Sequence, residues 1–246
     1  MIRMKKIILF IAVVLALGAC TQTGTVIGKS SKIHLVDSTM DVLQDKQYLE
    51  YMAPIKADLD EQLNVAIGYA PEALGVYQPE CPMLNWASDG LLAMARQCCP
   101  EEVDIAVVNI GGMRCNWGQG DITMRHVFEL MPFDNELVVL TLSGEDLLCL
   151  CDVFARTGGE GISGMCVRVE NGEVVKTTIA GRDIQPEAYY TVATSDYLSQ
   201  GNDRMLPLKN SVNTWKSNER IRDLYIAYIQ QTNIVQAKVD GRFVIE

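Results

Sequence analysis

Histidine is scarce in this 246-residue sequence, and its scarcity excludes some kinds of site. Only His34 and His126 occur, far apart in the chain. A two-metal hydrolytic centre needs clustered His, Asp and Asn ligands, and neither D-x-H nor G-N-H-D is present. The motifs G-x-S-x-G and G-x-x-x-x-G-K-[ST] are also missing. We therefore expect no catalytic residue, no metal ligand and no cofactor site within this chain.

Cysteine pairing is not indicated either. Apart from Cys20, the sequence has an odd number of cysteines and no C-x-x-C, so it supports neither a disulfide framework nor a zinc ribbon. Cys149 and Cys151 lie in an apolar, helix-like run. There we favour core thiols over metal ligands or a bridge.

Positive charge is in short supply, with 21 Lys and Arg against 31 Asp and Glu. This balance argues against nucleic acid as a partner. An acidic protein that binds anionic ligands must use a few well-placed donors. An arginine in a glycine-rich loop therefore becomes interesting.

The first twenty residues have the pattern of an export signal. Cationic residues precede the apolar run 7–17, which is about half of the roughly 20 residues that a membrane-spanning helix needs. Leu17-Gly18-Ala19-Cys20 is a lipobox, so residues 1–19 are expected to be a lipoprotein signal peptide and Cys20 the lipidated residue. Ordinary secretion with cleavage near Ala19 is the alternative. Residues 20–37 would form a lipidated tether.

Helix and strand patterns alternate through the rest of the chain. We expect lead-in helices over residues 38–64, with a break or kink at Pro54, and one domain over residues 65–246. The apolar run within 104–109 predicts a buried strand, a second buried strand is expected at 189–194, and Asn171-Gly172 predicts a β-hairpin. Further strands are expected near 235–239 and 243–245, and a helix over 218–231. The predicted fold class is mixed α/β, with mixed sheets packed against helices.

Three loops carry residues that a simple connection does not need. Asn109 to Arg114 combines an amide, two glycines and an arginine, which suits close approach to phosphate or ribose oxygens. The turn 131–135 displays Phe133 after a proline. The segment 194–203 adds Tyr197 and Asp203, and two displayed aromatic rings can hold a planar base. Taken singly, each loop also has a structural interpretation: a common Gly-Gly turn, or an aromatic that packs on the core.

In this order and spacing, the loops resemble the C-terminal domain of the 5'-nucleotidase family. The resemblance runs from about residue 68 to 246 and rests on four blocks: Glu80-Cys-Pro-Met-Leu-Asn85 with Asp89, VVNIGGMR, ELMPFDNELVVLTLSGEDLL and TVATSDYLSQGND. It implies a domain that binds the nucleoside part of a nucleotide. A separate N-terminal metallophosphatase domain, which has no counterpart in this sequence, would hold the metals.

Carried over by position, the resemblance assigns a substrate-binding role to seven residues. Phe133 and Tyr197 would clamp the base and Asp203 would bind the ribose. Contacts to base, ribose or phosphate would come from the first loop, through Asn109, Gly111, Gly112 and Arg114.

Two departures from the family pattern affect phosphate binding more than base binding. Pro79 stands where the family usually has an arginine, and Arg204 ends a turn that is G-G-D-G in the family.

These features favour the nucleotide-binding half of a split 5'-nucleotidase that is inactive alone and works with a separate metallophosphatase, which would carry the divalent metals. The alternative is a non-catalytic capture lipoprotein for nucleosides or nucleotides, and a third option is a site that has lost activity. Thr21 and Gln22 lack an inner-membrane retention aspartate, so we expect a periplasmic or cell-surface lipoprotein, at the outer membrane by default.

Overall fold

The computed structural model describes residues 28–33, 35, 40 and 45–246. The predicted signal peptide 1–19 and Cys20 lie outside the described residues. Only parts of the tether 20–37 and of the beginning of the lead-in segment are described. Contacts divide the chain into the units Met1–Tyr51 and Met52–Glu246.

The described residues form six α-helices and eleven strands. The helices are α1 (Lys46–Leu63), α2 (Pro82–Cys98), α3 (Met124–Leu130), α4 (Gly144–Thr157), α5 (Asp196–Ser199) and α6 (Ile221–Thr232). The strands are β1 (Ala66–Ala70), β2 (Ile105–Val108), β3 (Gly120–Thr123), β4 (Glu136–Ser143), β5 (Gly161–Ser163), β6 (Met165–Glu170), β7 (Glu173–Ile179), β8 (Arg182–Asp183), β9 (Tyr189–Ser195), β10 (Asn213–Arg220) and β11 (Phe243–Ile245).

A five-stranded mixed sheet in the order β10-β4-β9-β2-β5 organises the second unit. Strands β2 and β9 run parallel, and β4 runs antiparallel to β9. A four-stranded sheet has the order β11-β6-β7-β8, and β1 pairs with β3 alone. Mixed sheets packed with helices are the predicted fold class, which is confirmed.

Alternation along the central strands separates two hydrophobic cores. Ala106 and Val108 of β2 join one cluster, which contains buried residues of α2 and α6. Ile105 and Val107 join the other, which contains buried residues of α4 and of the four-stranded sheet. Because successive side chains of a strand point to opposite faces, β2 is covered on both sides and is wholly apolar.

Several local predictions were wrong. Helix α1 continues through Pro54, where a break or a kink was expected, so the chain does not break there. The segment 235–239 is not a strand; Val235 only donates its backbone N–H to the Tyr69 carbonyl, 2.9 Å away. The last long helix begins at Ile221 rather than 218, because β10 occupies the preceding residues.

The cysteines of the described residues are all unpaired thiols. Burial raises the pKa of Cys151 to about 12, as expected for a core thiol. Cys149 is exposed, so the prediction of a core position was wrong for that residue. Within the described part of the chain, no helix is long and apolar enough to cross a membrane.

Candidate functional site

The three loops singled out in the sequence meet at one edge of the five-stranded sheet. Parallel strands β2 and β9 end at the same edge, and antiparallel β4 begins there, with Leu137 opposite Ser195. Asn109 follows β2, Asn135 precedes β4 and Tyr197 follows β9. Crevices at the carboxyl ends of strands are common ligand sites in open α/β sheets.

A cavity of about 320 Å³ opens between these loops, and its volume lies at the lower end of the range typical of ligand pockets. The structure brings all seven predicted substrate-binding residues to its wall. The eighth lining residue, Asn135, was not predicted, although it ends the same turn as Phe133. The wall consists of Asn109, Gly111, Gly112, Arg114, Phe133, Asn135, Tyr197 and Asp203.

Asp203 links the first loop to the third. Its carboxylate accepts hydrogen bonds from the Asn109 amide, at 2.5 Å, and from the Tyr197 hydroxyl, at 3.0 Å. The hydrogen bond to Asp203 raises the pKa of Tyr197. A carboxylate has about four acceptor positions, so Asp203 can accept further hydrogen bonds from a ligand.

The two glycines of the first loop differ in how much space a side chain would have. A Cβ atom at Gly112 would lie 2.8 Å from the Asn109 Oδ1 atom, which is too close. At Gly111 the nearest atoms, the Asn109 Nδ2 and an Asp203 oxygen, would be 3.6 and 3.7 Å away, in ordinary contact. The side-chain position of Asn109 therefore depends on glycine at 112.

Arg114 lies on the Phe133 side of the cavity. One guanidinium nitrogen donates to the Gly111 carbonyl at 3.0 Å, and the guanidinium carbon is 5.8 Å from the centroid of the Phe133 ring. The arginine is thus directed across the first loop toward the aromatic turn.

Both cavity aromatics are displayed rather than buried. Phe133 and Tyr197 are 39% and 42% exposed, which answers the alternative that they merely pack on the core. Pro132 follows the end of α3 and precedes Phe133 in the turn. The Ser195 side chain caps α5 by accepting from the Leu198 N–H at 3.1 Å, and this places Tyr197 in the first turn of α5.

A buried arginine holds the Phe133 turn in place through hydrogen bonds. Arg222 of α6 donates to Asp134 Oδ1 at 2.6 Å and to the Phe133 carbonyl at 3.3 Å. Its guanidinium also lies 4.3 Å from the centroid of the Phe128 ring. Nothing in the sequence pattern identified this anchor.

Glu160 supports the first loop, and the sequence reasoning missed it. The side chain is buried, and its Oε2 accepts from the Ile110 N–H at 2.7 Å. Burial raises the pKa of Glu160 to about 7, although the Ile110 hydrogen bond favours the charged form. The signal was a lone acid directly after Gly158-Gly159.

The block 80–89 makes hydrogen bonds to the C-terminal segment. Buried Glu80 accepts hydrogen bonds from the Asn85 amide and from the backbone N–H groups of Asp240 and Gly241. Asp89 accepts from Arg242 at 2.6 Å. These side chains therefore fix the C-terminal segment.

The described residues contain no group of three or more His, Cys, Asp or Glu side chains able to hold a metal ion.

Comparison with known proteins finds similarity to 5'-nucleotidases, as the three loops indicated. The family model for the 5'-nucleotidase C-terminal domain matches residues 66–209. A 5'-nucleotidase of Vibrio parahaemolyticus is 25% identical over 183 residues, which are 72% of this chain and 32% of that protein. Protein UshA of Escherichia coli is 22% identical over 86% of this chain and 39% of its own length.

A solved structure shows the same fold. The 5'-nucleotidase precursor from Thermus thermophilus superposes with a TM-score of 0.71 and 25% identity, covering 80% of this chain and 42% of that one. The match spans about a third of the length of the Vibrio 5'-nucleotidase, which is 32%. From the matched residues and the shared fold, the chain belongs to the 5'-nucleotidase C-terminal domain family.

Proposed function

We propose that this chain is the nucleotide-binding half of a split 5'-nucleotidase and that it holds the nucleoside part of the substrate in the 320 Å³ cavity. The observation that carries the proposal is the meeting of two displayed aromatic rings with an amide, an arginine and a carboxylate at one wall. Planar aromatic surface beside polar groups suits a base joined to a ribose.

Each part of a nucleoside has a complementary group in the cavity. Stacking of a base on an aromatic side chain contributes about 1–3 kcal/mol by alanine substitution, and both Phe133 and Tyr197 are available for it. Ribose hydroxyls can donate to Asp203, whose carboxylate already accepts from Asn109 and Tyr197. The Asn109 and Asn135 amides can both donate and accept.

Hydrolysis is assigned to a separate metallophosphatase, which supplies the metal-activated water. This chain supplies orientation, because holding the nucleoside fixes the phosphate relative to the partner's centre. Orientation of this kind can lower a barrier by several kcal/mol.

Placement at a membrane is part of the proposal. The lipobox at residues 17–20 would give Cys20 its acyl chains, and residues 21–37 would tether the binding domain to the membrane. We propose a membrane-anchored lipoprotein in the periplasm or on the cell surface, with the outer membrane favoured over the inner membrane.

The test is phosphate release from AMP by a separately produced metallophosphatase domain of a 5'-nucleotidase, with and without this chain added. We expect no release by this chain alone, and a rise in the partner's kcat/KM for AMP when it is added. Phe133→Ala should abolish the rise. Hydrolysis of p-nitrophenyl phosphate, which has no base, is the control and should not respond.

Absence of any rise with AMP overturns the split enzyme. If adenosine nonetheless binds with the cavity residues required, the chain is a capture protein that delivers nucleosides for uptake. If neither adenosine nor AMP binds, the cavity has lost its ability to bind nucleosides, and membership of the family reflects common ancestry and not a shared activity.

A further inference from the structure

Glu160 is a buried acid that contacts the first loop of the nucleoside cavity. Its Oε2 accepts a hydrogen bond from the Ile110 N–H at 2.7 Å, and Ile110 stands between two residues that line the cavity, Asn109 and Gly111. Among the described residues, no lysine, arginine or histidine forms an ion pair with Glu160. When it is ionised, Glu160 is therefore a buried charge without a cationic partner, placed against the backbone that shapes the site.

The charged groups around Glu160 do not neutralise it. Glu160 lines a space of about 440 Å³ together with Arg156 from the end of α4 and with Asp203 and Arg204 from the turn after α5. Burial, and to a smaller extent the Asp203 carboxylate, raises the pKa of Glu160 to about 7, although the Ile110 hydrogen bond favours the charged form. Near neutral pH, both forms of Glu160 are therefore populated.

The backbone at Glu160 has little room to move. A Cβ atom on Gly159 would lie 2.2 Å from the Pro79 carbonyl oxygen, and one on Gly161 would lie 2.4 Å from a Val108 methyl carbon. The chain approaches its neighbours so closely at these two positions that only glycine fits. A change in the charge of Glu160 is therefore expected to displace the first loop rather than Glu160 itself.

We propose that Glu160 is a positioning residue that makes nucleoside binding depend on pH, through the hydrogen bond by which it holds the first loop at Ile110. Protonated Glu160 tolerates burial and still accepts from the Ile110 N–H, so the loop keeps the arrangement that binds. Ionised Glu160 favours a displaced loop, in which water reaches the carboxylate and Asn109 leaves its place in the cavity wall. This inference rests on the proposed function, because it names how binding at that site is regulated.

The direction of the effect follows from the pKa of Glu160 in the two arrangements. The buried arrangement holds this pKa near 7, whereas water around the carboxylate returns it toward the ordinary value of 4.5. The buried arrangement therefore has its full advantage below about pH 4.5 and loses it as the pH rises through 7. Because apparent affinity scales with the population of the arrangement that binds, adenosine should bind more tightly at low pH.

The test is calorimetric titration of the full chain with adenosine, which has no group that titrates in this range, at pH 5 and at pH 8. The unmodified protein should bind at least about 3-fold more weakly at pH 8. Glu160→Gln keeps an acceptor for the Ile110 N–H but does not titrate. Its affinity should be the same at both pH values and close to that of the unmodified protein at pH 5. A purely structural role of Glu160 would change the affinity of the variant without removing its pH dependence.

Two control variants separate Glu160 from other titrating groups. Histidine also titrates in this range, and His126→Gln removes one. The His126 Nδ1 accepts from the Thr123 N–H at 2.9 Å, and glutamine can take over this helix cap. Glu170→Gln, which removes an exposed glutamate from β6, is the matched control for the loss of one acid. Both variants should keep the pH dependence of the unmodified protein.

Proton uptake is a second measurement, and it needs no variant. Titration near pH 6 in two buffers that differ in their enthalpy of ionisation gives the number of protons taken up when adenosine binds. We expect uptake of a fraction of one proton, because binding selects the buried, protonated form of Glu160.

Equal affinity at pH 5 and pH 8, or binding without proton uptake, overturns this role of Glu160 and leaves nucleoside binding in place. A pH dependence that survives in Glu160→Gln, or that disappears in His126→Gln, overturns it as well. No binding of adenosine at either pH removes the proposed function, and the pH dependence with it.

Discussion

The side chain of Asp196 accepts a hydrogen bond from the backbone N–H of Glu136, 3.1 Å away, and so joins the loops that carry the two cavity aromatics. The same Oδ1 atom accepts from the Tyr197 N–H at 2.8 Å. Since Glu136 begins β4 directly after the Phe133 turn, one carboxylate fixes the base of both loops. The spacing of the two rings therefore depends on a residue that does not line the cavity.

Replacing Asp196 by Ala should widen the distribution of distances between the Phe133 and Tyr197 rings and weaken ligand binding. We expect adenosine affinity to fall several-fold, with a loss of about 1–2 kcal/mol in stability from the two unpaired N–H groups. Titration calorimetry and urea denaturation measure the two effects. Asp183→Ala on β8 is the control, and equal affinities of both variants would contradict the coupling.

Arg222 is expected to be the main anchor of the Phe133 turn. Arg222→Met removes its bonds to Asp134 and to the Phe133 carbonyl and should lower the free energy of unfolding by about 2–3 kcal/mol, less than a fully buried pair because Asp134 is exposed. Arg220→Met is the matched control. Arg220 also approaches Asp134, at 3.8 Å, but is half-exposed, so its loss should cost less than about 1 kcal/mol. Similar urea midpoints for both variants would contradict this role.

The two glycines of the first loop should respond differently to alanine. Gly112→Ala places a methyl group 2.8 Å from the Asn109 Oδ1 atom, so Asn109 must move and its hydrogen bond to Asp203 is strained or lost. Gly111→Ala meets only ordinary contacts. We expect adenosine titration to show a larger loss of affinity for Gly112→Ala. A larger loss of affinity for Gly111→Ala would contradict the packing of Asn109 against Gly112.

Glu160 should make stability depend on pH. Its folded-state pKa, about 7, lies above the ordinary value of 4.5, so the folded state prefers the protonated form. The contribution is fully present below about pH 4.5 and is lost as the pH rises through 7. It amounts to about 3 kcal/mol.

Urea denaturation of the unmodified protein and of Glu160→Gln, at pH 5 and at pH 8, measures this contribution. Glutamine keeps an acceptor for the Ile110 N–H but does not titrate. The unmodified protein should lose stability relative to the variant between the two pH values. A constant difference would show that Glu160 has an ordinary pKa.

Apolar continuity and turn chemistry made much of the fold predictable from the sequence. The buried strand β2 appears as an unbroken apolar run, the second half of β9 is buried as expected, and Asn171-Gly172 marks the β6–β7 hairpin. Strand β10 was missed because its sequence, NTWKSNER, is polar, as suits an edge strand whose residues are largely exposed. Its pairing with β4 is decided by tertiary structure rather than by its own composition.

The residues that line the cavity could be predicted because the three loops carry side chains that a simple connection does not need. Its supports were not predicted. Asp196 and Arg222 act from positions without a distinctive local pattern, and the Gly158-Gly159-Glu160 sequence does not show which group the acid contacts. Their roles follow from contacts across 50 or more residues of sequence.

Calorimetric titration of the full chain with adenosine tests the central claim most directly, on the unmodified protein and on Phe133→Ala and Tyr197→Ala. We expect saturable binding with one site, weakened roughly 5- to 100-fold in each variant. Tyr189→Ala, which removes an exposed tyrosine at the start of β9, should bind as the unmodified protein does. Absence of adenosine binding, or binding that survives the loss of both rings, would contradict a nucleoside site in this cavity.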